Sequence, residues 1–267
     1  MSIGFLGAGR IAQAMAKGFI ESGVASASKI MASCPVADKH LLDEIKALGC
    51  QTTHDNLAVV AQCDTLLVAL KPNVVPRVLD EVGPSVQKRH LVVSLAMGVT
   101  LADIQERLPS GTRVIRVMPN TPCLVRQGAS VFSRGGTANA DDANLVSRLL
   151  ASVGHCEEVP ESLMDAATGL SGSGPAYVFV LIEALADGGV RQGMPRDLSY
   201  RLAANTVMGA AKMVLSTGRH PGSLKDDVSS PAGTTCEGLW ALEKAGFRAA
   251  LIEAVAAATA RAARGRH

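Results

Sequence analysis

Three small residues near the start of the chain have the spacing that binds a pyrophosphate. Gly7, Gly9 and Ala12 form a G-x-G-x-x-A pattern between a strand pattern over 3–6 and a helical pattern over 11–22. The first glycine permits a tight bend, the second admits the phosphates, and the small third residue lets helix and strand pack closely. This context favours a dinucleotide site over a turn that binds nothing. The residues assigned to it are Gly7, Ala8, Gly9, Arg10 and Ile11.

The end of the second predicted strand indicates which dinucleotide is bound. An NAD-specific site carries Asp or Glu there, which binds the ribose 2′-hydroxyl. This chain has Ser33 and Cys34 instead, with Arg10 and Lys39 as cations that could reach a 2′-phosphate. A carboxylate would repel that phosphate, whereas a serine hydroxyl would not. We therefore expect NADPH as the cofactor, with NADH as the alternative. The other interpretation is that Ser33 and Cys34 only shape a turn.

Three further strand ends should face the same crevice, because ligands bind outside the carboxyl ends of parallel strands. Small and apolar residues at these ends would form a slot for a flat ring. Asn120 is the polar group expected to fix the carboxamide or the substrate. Any one of these ends could also be a plain turn. The cofactor residues assigned in this part of the chain are Asn56, Ala69, Leu70, Lys71, Pro72, Ala96 and Asn120.

Two clusters of small residues, at 169–177 and 226–235, could bind an anion. Each opens a helical pattern, exposes backbone N–H groups and hydroxyls, and costs conformational entropy when nothing is bound. For Ser171 alone, a helix N-cap is the better interpretation. For the segment 230–235 we favour a carboxylate-binding site over a plain cap.

Alternating strand and helix patterns place these motifs. The strand candidates are 3–6, 30–33, 65–70, 91–95, 114–117 and 129–133. Helical patterns between them include 11–22, 39–48 and 141–152. This rhythm predicts an α/β fold with a parallel sheet covered on both faces.

After residue 158 the strand patterns stop and only helical patterns follow. They cover 162–170, 176–192, 195–216, 234–245 and 247–264. We therefore predict a dinucleotide-binding domain over 1–158 and an all-helical dimerisation and substrate-binding domain over 159–267. The last helix is rich in alanine and is expected to pack on a partner.

Composition excludes several classes of function. The chain has 267 residues, 48% of them hydrophobic and 19% charged, with a net charge of +2. That balance gives no electrostatic case for nucleic acid, and 3% aromatic residues give no stacking platform for bases. The apolar stretches are judged too short or too broken by glycine to span a membrane. No leader peptide is recognised, so a cytoplasmic location is expected. Six single cysteines without C-x-x-C or paired-histidine spacing predict neither a disulfide framework nor a metal site.

Over essentially its whole length the chain resembles pyrroline-5-carboxylate reductase. The resemblance rests on the segments 3–9, 70–72 and 116–122, and above all on 168–177 (TGLSGSGPAY) and 227–235 (DVSSPAGTT). Ala232 departs from the family, which usually has a second glycine at that position. Asp227 is another departure, because some members carry an asparagine there.

The resemblance implies a Rossmann-type N-terminal domain followed by an all-α C-terminal dimerisation domain. It implies reduction of the cyclic imine L-1-pyrroline-5-carboxylate to L-proline with NAD(P)H, the last step of proline biosynthesis. It also implies a homodimer, and in the family a pentamer of dimers, with each active site between one subunit's dinucleotide domain and the other's helices. By the same resemblance Asp227 lies near the cofactor. Ser230, Gly233, Thr234 and Thr235 hold the substrate, and the hydroxyl of Thr235 is the catalytic candidate near the ring nitrogen.

These residues suit an imine reduction. A protonated imine accepts hydride readily, so the protein needs to hold the ring and neutralise its carboxylate rather than supply a strong acid. A β-hydroxyacid or 6-phosphogluconate-type dehydrogenase is the second candidate, but it would need a lysine in the first long helix, where 177–183 has none. A regulator that senses NADP without catalysis is the third, and intact Ser230 and Thr235 argue against it.

Overall fold

The structure is a computed structural model that describes residues 1–264. Within these residues an eight-stranded sheet organises the first part of the chain. The strands are β1 (Ile3–Leu6), β2 (Ile30–Ser33), β3 (Gln51–Thr53), β4 (Thr65–Val68), β5 (Leu91–Ser94), β6 (Arg113–Met118), β7 (Gly128–Arg134) and β8 (Gly154–Glu158). They lie in the order β3-β2-β1-β4-β5-β6-β7-β8. The strand order reverses between β1 and β4, and such a reversal opens a crevice at the carboxyl ends of the strands.

The sheet is parallel from β3 through to β6, as predicted. The prediction of a parallel sheet does not hold for β7, which runs antiparallel to β6 with Ile115 opposite Arg134. A short 3₁₀ turn, Thr121–Val125, joins these two strands, and only antiparallel neighbours can be joined without a crossover helix. β8 then pairs parallel to β7.

Six helices cover the sheet. They are α1 (Arg10–Glu21), α2 (Lys39–Ala47), α3 (Asn56–Gln62), α4 (Val75–Val82), α5 (Leu101–Gln105) and α6 (Ala140–Ala151). One buried apolar cluster joins α1, α2 and α6 to the sheet, and a second joins α3, α4 and α5. β1, β2, β4 and β5 are buried at every position, as expected for strands with helices on both faces. The α/β prediction is therefore confirmed.

The remainder of the described chain is helical. It comprises α7 (Met164–Ala167), a π-helical turn (Thr168–Gly172), α8 (Gly174–Arg191), α9 (Arg196–Thr217), α10 (Pro221–Asp227), α11 (Thr234–Lys244) and α12 (Phe247–Arg264). Contacts divide the chain into two units. Unit 1 is Met1–Ser173 together with α12 from Ala257 onward, and unit 2 is Gly174–Ala256.

The segment between β8 and Ser173 groups with unit 1, although the predicted domain boundary lies before it. Arg116 of β6, 5% exposed, explains the grouping. Its guanidinium lies 2.9 Å from Glu161 Oε1 and 3.8 Å from Asp165 Oδ1. Glu161 Oε1 also accepts a hydrogen bond from the backbone N–H of Leu101. A buried arginine needs such partners, so the pairing ties this segment to the sheet.

Unit 2 buries few side chains of its own. Ala186 is the buried residue of α8, and Ser199 and Ala203 are those of α9. Large apolar side chains are exposed on the same helices and on those that follow, including Phe179, Val180, Met208, Leu215, Trp240 and Ile252. So many exposed apolar side chains on these helices point to an interaction surface.

One helical run meets the length and composition of a membrane span. It covers Glu161–Arg191, with a mean hydropathy of 1.3. The expectation that the longest apolar stretches are too short or too broken by glycine to span a membrane is wrong for this run, because Gly169 and Gly172 are accommodated in the π-helical turn without ending the helix. Length and composition alone are weak evidence, since apolar helices of soluble proteins meet the same criteria.

Candidate active site

The glycine turn after β1 leaves room for a pyrophosphate. Gly7 has φ +106°, and its N–H donates to the Ser33 oxygen at 3.0 Å. A Cβ at Gly7 would lie 2.5 Å from the Ala69 oxygen, so only glycine fits there. A Cβ at Gly9 would meet no atom within 4 Å, and no side chain caps the N-terminus of α1. Open space before uncapped N–H groups fits the phosphates of a dinucleotide.

The end of β2 is linked to α3 and α4 by a chain of hydrogen bonds. The Oγ of Ser33 lies 2.7 Å from Oδ1 of Asn56, and Nδ2 of Asn56 lies 3.2 Å from both carboxylate oxygens of Glu81. A carboxylate accepts and does not donate, so Asn56 turns its Nδ2 towards Glu81 and its Oδ1 towards Ser33. The serine hydroxyl is therefore the donor in its bond to Asn56.

A cavity of about 340 Å³ opens beside this chain of bonds. Its lining contains five of the predicted cofactor residues, Gly7, Ser33, Cys34, Asn56 and Leu70, together with Pro35, His54, Val74, Arg77, Val78 and Glu81. Arg77 and Glu81 were not predicted from the sequence. Their spacing of four residues puts both on one face of α4, but it does not show that this face borders a cavity. The two cations that were suggested, Arg10 and Lys39, are not part of this lining. Cys34 is buried, and burial with the nearby charge of Asp38 raises the pKa of its thiol.

A second cavity, of about 330 Å³, lies at the carboxyl ends of β4 and β5 within unit 1. Pro72, Met97 and Gly98 line it from the strand ends, and Thr168 and Ser173 line it from the π-helical turn and the residue after it. The end of α12 completes the lining with Ala258, Arg261 and Ala262. Two of the three strand ends predicted to form an apolar slot line this cavity, and Arg261 adds a cation that was not predicted. Of the other assigned residues, Lys71 is exposed, Ala69 is half-buried and Ala96 is buried.

Asn120 is occupied within the protein. Its Oδ1 accepts from the N–H of Ala129 at 2.9 Å, and its Nδ2 donates to the oxygen of Ser171 at 3.0 Å. The residue is 8% exposed. The side chain therefore joins β6, β7 and the π-helical turn. This structural role was not predicted from the sequence, which suggested that Asn120 fixes the carboxamide or the substrate.

The predicted substrate segment forms the start of α11 in unit 2. Gly233 is the N-cap, and its N–H donates to the Ser230 oxygen at 3.0 Å. A Cβ at Gly233 would lie 2.2 Å from Ser230 Oγ and 3.0 Å from the Ser230 oxygen, so a larger residue there would have to displace the serine hydroxyl. The N–H groups of Thr234 and Thr235 have no acceptor among residues 1–264. Unpaired N–H groups at a helix start are suited to a carboxylate.

Two features flank this segment. Ala232 has φ +55°, a left-handed conformation that favours glycine and strains alanine. Asp227, at the end of α10, pairs with Arg219 at 2.6 Å, and this hydrogen bond and charge hold the pKa of the carboxyl below its usual value. Asp227 is thus ionised and occupied in unit 2.

Comparison with known proteins decides the family. Residues 161–264 match the family described as pyrroline-5-carboxylate reductase dimerisation, and residues 2–98 match the family described as NADP oxidoreductase, coenzyme F420-dependent. Pyrroline-5-carboxylate reductase 3 of Rattus norvegicus is 52% identical over 260 residues, covering 97% of this chain and 94% of the relative. The chain belongs to the pyrroline-5-carboxylate reductase family.

Solved structures of pyrroline-5-carboxylate reductases have the same fold. That from Coxiella burnetii matches with a TM-score of 0.91 and 34% identity, covering 100% of this chain and 98% of that one. The enzyme of Plasmodium falciparum, solved with NADP bound, matches with a TM-score of 0.90 and 31% identity over the same shares. The predicted combination of a Rossmann-type domain and a helical dimerisation domain is confirmed. The assignment of individual site residues remains a prediction.

Proposed function

We propose that the protein reduces L-1-pyrroline-5-carboxylate to L-proline with NAD(P)H, the final step of proline biosynthesis. The proposal rests on the combination of two sites in a chain of this family. The glycine turn before α1 is open and uncapped, and two N–H groups at the start of α11 are unpaired among residues 1–264. The first suits a dinucleotide and the second suits the carboxylate of a small substrate.

The N-terminal residues bind and orient the cofactor, which supplies a hydride to the imine carbon when bound. Gly7 sets the bend, Gly9 admits the pyrophosphate, and the first N–H groups of α1 neutralise its charge. The apolar strand ends at Pro72, Met97 and Gly98 exclude water from one side of a flat ring. A dry, fixed surface lets the ring and the imine meet in one orientation.

The residues of 230–235 hold the substrate. The N–H groups of Thr234 and Thr235 donate hydrogen bonds to the carboxylate, with Ser230 beside them. By the resemblance to the family, the hydroxyl of Thr235 orients the ring nitrogen or relays a proton from solvent to it as the imine becomes an amine. No lysine occurs in α8, the helix in which a hydroxyacid dehydrogenase of this domain order would need one.

We propose further that the active subunits are homodimers, arranged as a pentamer of dimers. The exposed apolar side chains of α8, α9, α11 and α12 support this, because they lie in the part that matches the dimerisation family. In such a dimer the helices of one subunit would complete the site of the other. Light scattering of the purified protein would distinguish a dimer from a decamer.

NADPH oxidation with pyrroline-5-carboxylate is the decisive experiment. The proposal expects turnover of the imine with NADPH or NADH, and none of a panel of 3-hydroxy acids with the oxidised cofactors. Hydroxy-acid turnover without imine turnover would contradict it and support the dehydrogenase alternative. Binding of NADPH with no turnover of either substrate would support a regulator.

A further inference from the structure

Ser33 has no proton to give a 2′-phosphate. The residue is fully buried, and its hydroxyl donates to Asn56, whose own amide is fixed in that orientation by Glu81. The Oγ of Ser33 can still accept a hydrogen bond. A phosphate is only an acceptor, so another residue of the cavity must bind it.

Arg77 and Glu81 place opposite charges in the same cavity. They lie one turn apart on α4 and therefore on one face of that helix. Glu81 holds Asn56, whereas Arg77 forms no ion pair or side-chain hydrogen bond with any of residues 1–264. The neighbouring acid Asp80 is paired elsewhere, with Arg107 at 2.9 Å. Arg77 is thus an available cation beside the end of β2.

We propose that Arg77 and Glu81 set the preference between a 2′-phosphate and a 2′-hydroxyl on the adenosine ribose of the cofactor. The inference rests on the proposed use of NAD(P)H. Arg77 donates to the phosphate. Glu81 opposes the phosphate by its charge and, through Asn56, withholds the proton of Ser33. A 2′-hydroxyl, which can donate, is accepted by the exposed carboxylate of Glu81. The two side chains therefore favour different cofactors.

Binding of two nucleotide fragments tests Arg77. Calorimetry with 2′,5′-ADP and with 5′-AMP compares the phosphate and the hydroxyl directly on the full-length protein. Arg77→Gln should weaken 2′,5′-ADP about tenfold or more, because a hydrogen bond to a charged group is lost, and leave 5′-AMP unchanged. Arg77→Lys should recover part of the affinity. Arg148→Gln on α6 removes the same charge outside the cavity and should change neither fragment. Equal effects of Arg77→Gln on both fragments, or none on either, would overturn the proposal.

Glu81→Gln tests the opposing charge. The amide oxygen of glutamine can still accept from Asn56, so the variant removes the charge while keeping the bond. It should bind 2′,5′-ADP more tightly than the unmodified protein, whereas Glu106→Gln should not. Weaker binding of 2′,5′-ADP by Glu81→Gln would overturn the role of Glu81. Neither fragment carries the nicotinamide, and no imine is present, so these results are independent of turnover. A protein that binds 2′,5′-ADP but does not reduce the imine would contradict the proposed function alone.

Discussion

The Nδ2 of Asn120 donates a hydrogen bond to the backbone oxygen of Ser171, 3.0 Å away in the π-helical turn. The other end of the same amide accepts from Ala129. One buried side chain thus connects the end of β6, the start of β7 and the helix that leads out of unit 1. These are the bonds of a structural tie, and they leave the amide one free N–H.

Asn120→Ala should therefore affect stability more than cofactor binding. It leaves the N–H of Ala129 and the oxygen of Ser171 without partners, which should lower the free energy of unfolding by about 2 kcal/mol. Urea unfolding and NADPH titration measure the two effects separately. Asn139→Ala, which removes the N-cap of α6, is the matched loss of an asparagine elsewhere. A large loss of NADPH affinity without loss of stability would instead support the contact to the carboxamide that was expected from the sequence.

Gly7→Ala and Gly9→Ala should fail for different reasons. Alanine at Gly7 combines a positive φ with a 2.5 Å contact to the Ala69 oxygen, so it should destabilise unit 1 by at least about 2 kcal/mol. Alanine at Gly9 meets open space at φ −68°, so the protein should keep its stability and lose affinity for NADPH. Thermal unfolding and NADPH fluorescence titration separate the two. Normal NADPH binding by Gly9→Ala would argue that the pyrophosphate lies elsewhere.

Thr235→Ala should lower kcat/KM for the imine by about 100-fold, the typical loss when a positioned proton donor is removed. NADPH affinity should stay unchanged, because the residue is assigned to the substrate. Thr235→Ser keeps the hydroxyl and is the control that should retain most activity. Steady-state kinetics and NADPH titration provide the measurements. Unaltered catalytic efficiency in Thr235→Ala would remove this hydroxyl from the mechanism.

Ala232→Gly should stabilise the protein. The left-handed conformation at φ +55° strains alanine, and its relief should exceed the greater chain entropy of glycine by about 0.5–1 kcal/mol. Ala241→Gly, in the regular part of α11, should instead destabilise by about 1 kcal/mol. Chemical denaturation at one fixed protein concentration compares them. A loss of stability in both variants would indicate that other contacts outweigh the strain at Ala232.

His90 should make the protein less stable in acid. The ring is 1% exposed, accepts from the N–H of Gln87 at 2.7 Å and lies 3.0 Å from the oxygen of Val60. Burial, together with the charge of Arg89, lowers the pKa of His90 from its usual 6.5. The unfolded chain then takes up a proton near pH 6.5 while the folded protein does not, so stability is lost as pH falls below that value.

The pH dependence can be measured on the unmodified protein and on His90→Asn. Unfolding free energies from about pH 7.5 downward should fall with a slope of at most about 1.4 kcal/mol per pH unit for this proton, and the slope should be smaller in the variant. NMR titration of the His90 ring gives the folded pKa directly. A folded pKa at or above 6.5 would refute the assignment.

Sequence patterns predicted the strands whose bounds are set by their own residues and by the turns that flank them. β1 and β2 begin and end where the apolar runs indicated, because each is buried between helices and flanked by turn residues. β3 and β8 were missed. Both are edge strands with mostly exposed or half-buried residues, so their pairing rather than their composition makes them strands.

In the candidate site, too, residues set by their neighbours in sequence were predicted, and residues brought in by tertiary packing were not. Gly7 and Ser33 were predicted because a turn and a strand end can be read from neighbouring residues. Arg77, Glu81 and Arg261 were missed because α4 and α12 reach the cavities through tertiary packing. The spacing of residues in the sequence does not show which helix will pack over the ends of which strands.

The π-helical turn Thr168–Gly172 has a consequence for how members of this family are compared. Such a turn holds one residue more than an α-turn, and each residue rotates the following side chains by about 100° about the helix axis. A relative that lost one residue in this stretch would keep a continuous helix and every later motif, yet its α8 would present different residues at each position around the axis. The number of residues in the turn therefore determines which side chains α8 presents on each face. A one-residue gap there in an alignment would mark a change in the surface of α8 in a chain whose motifs all remained intact.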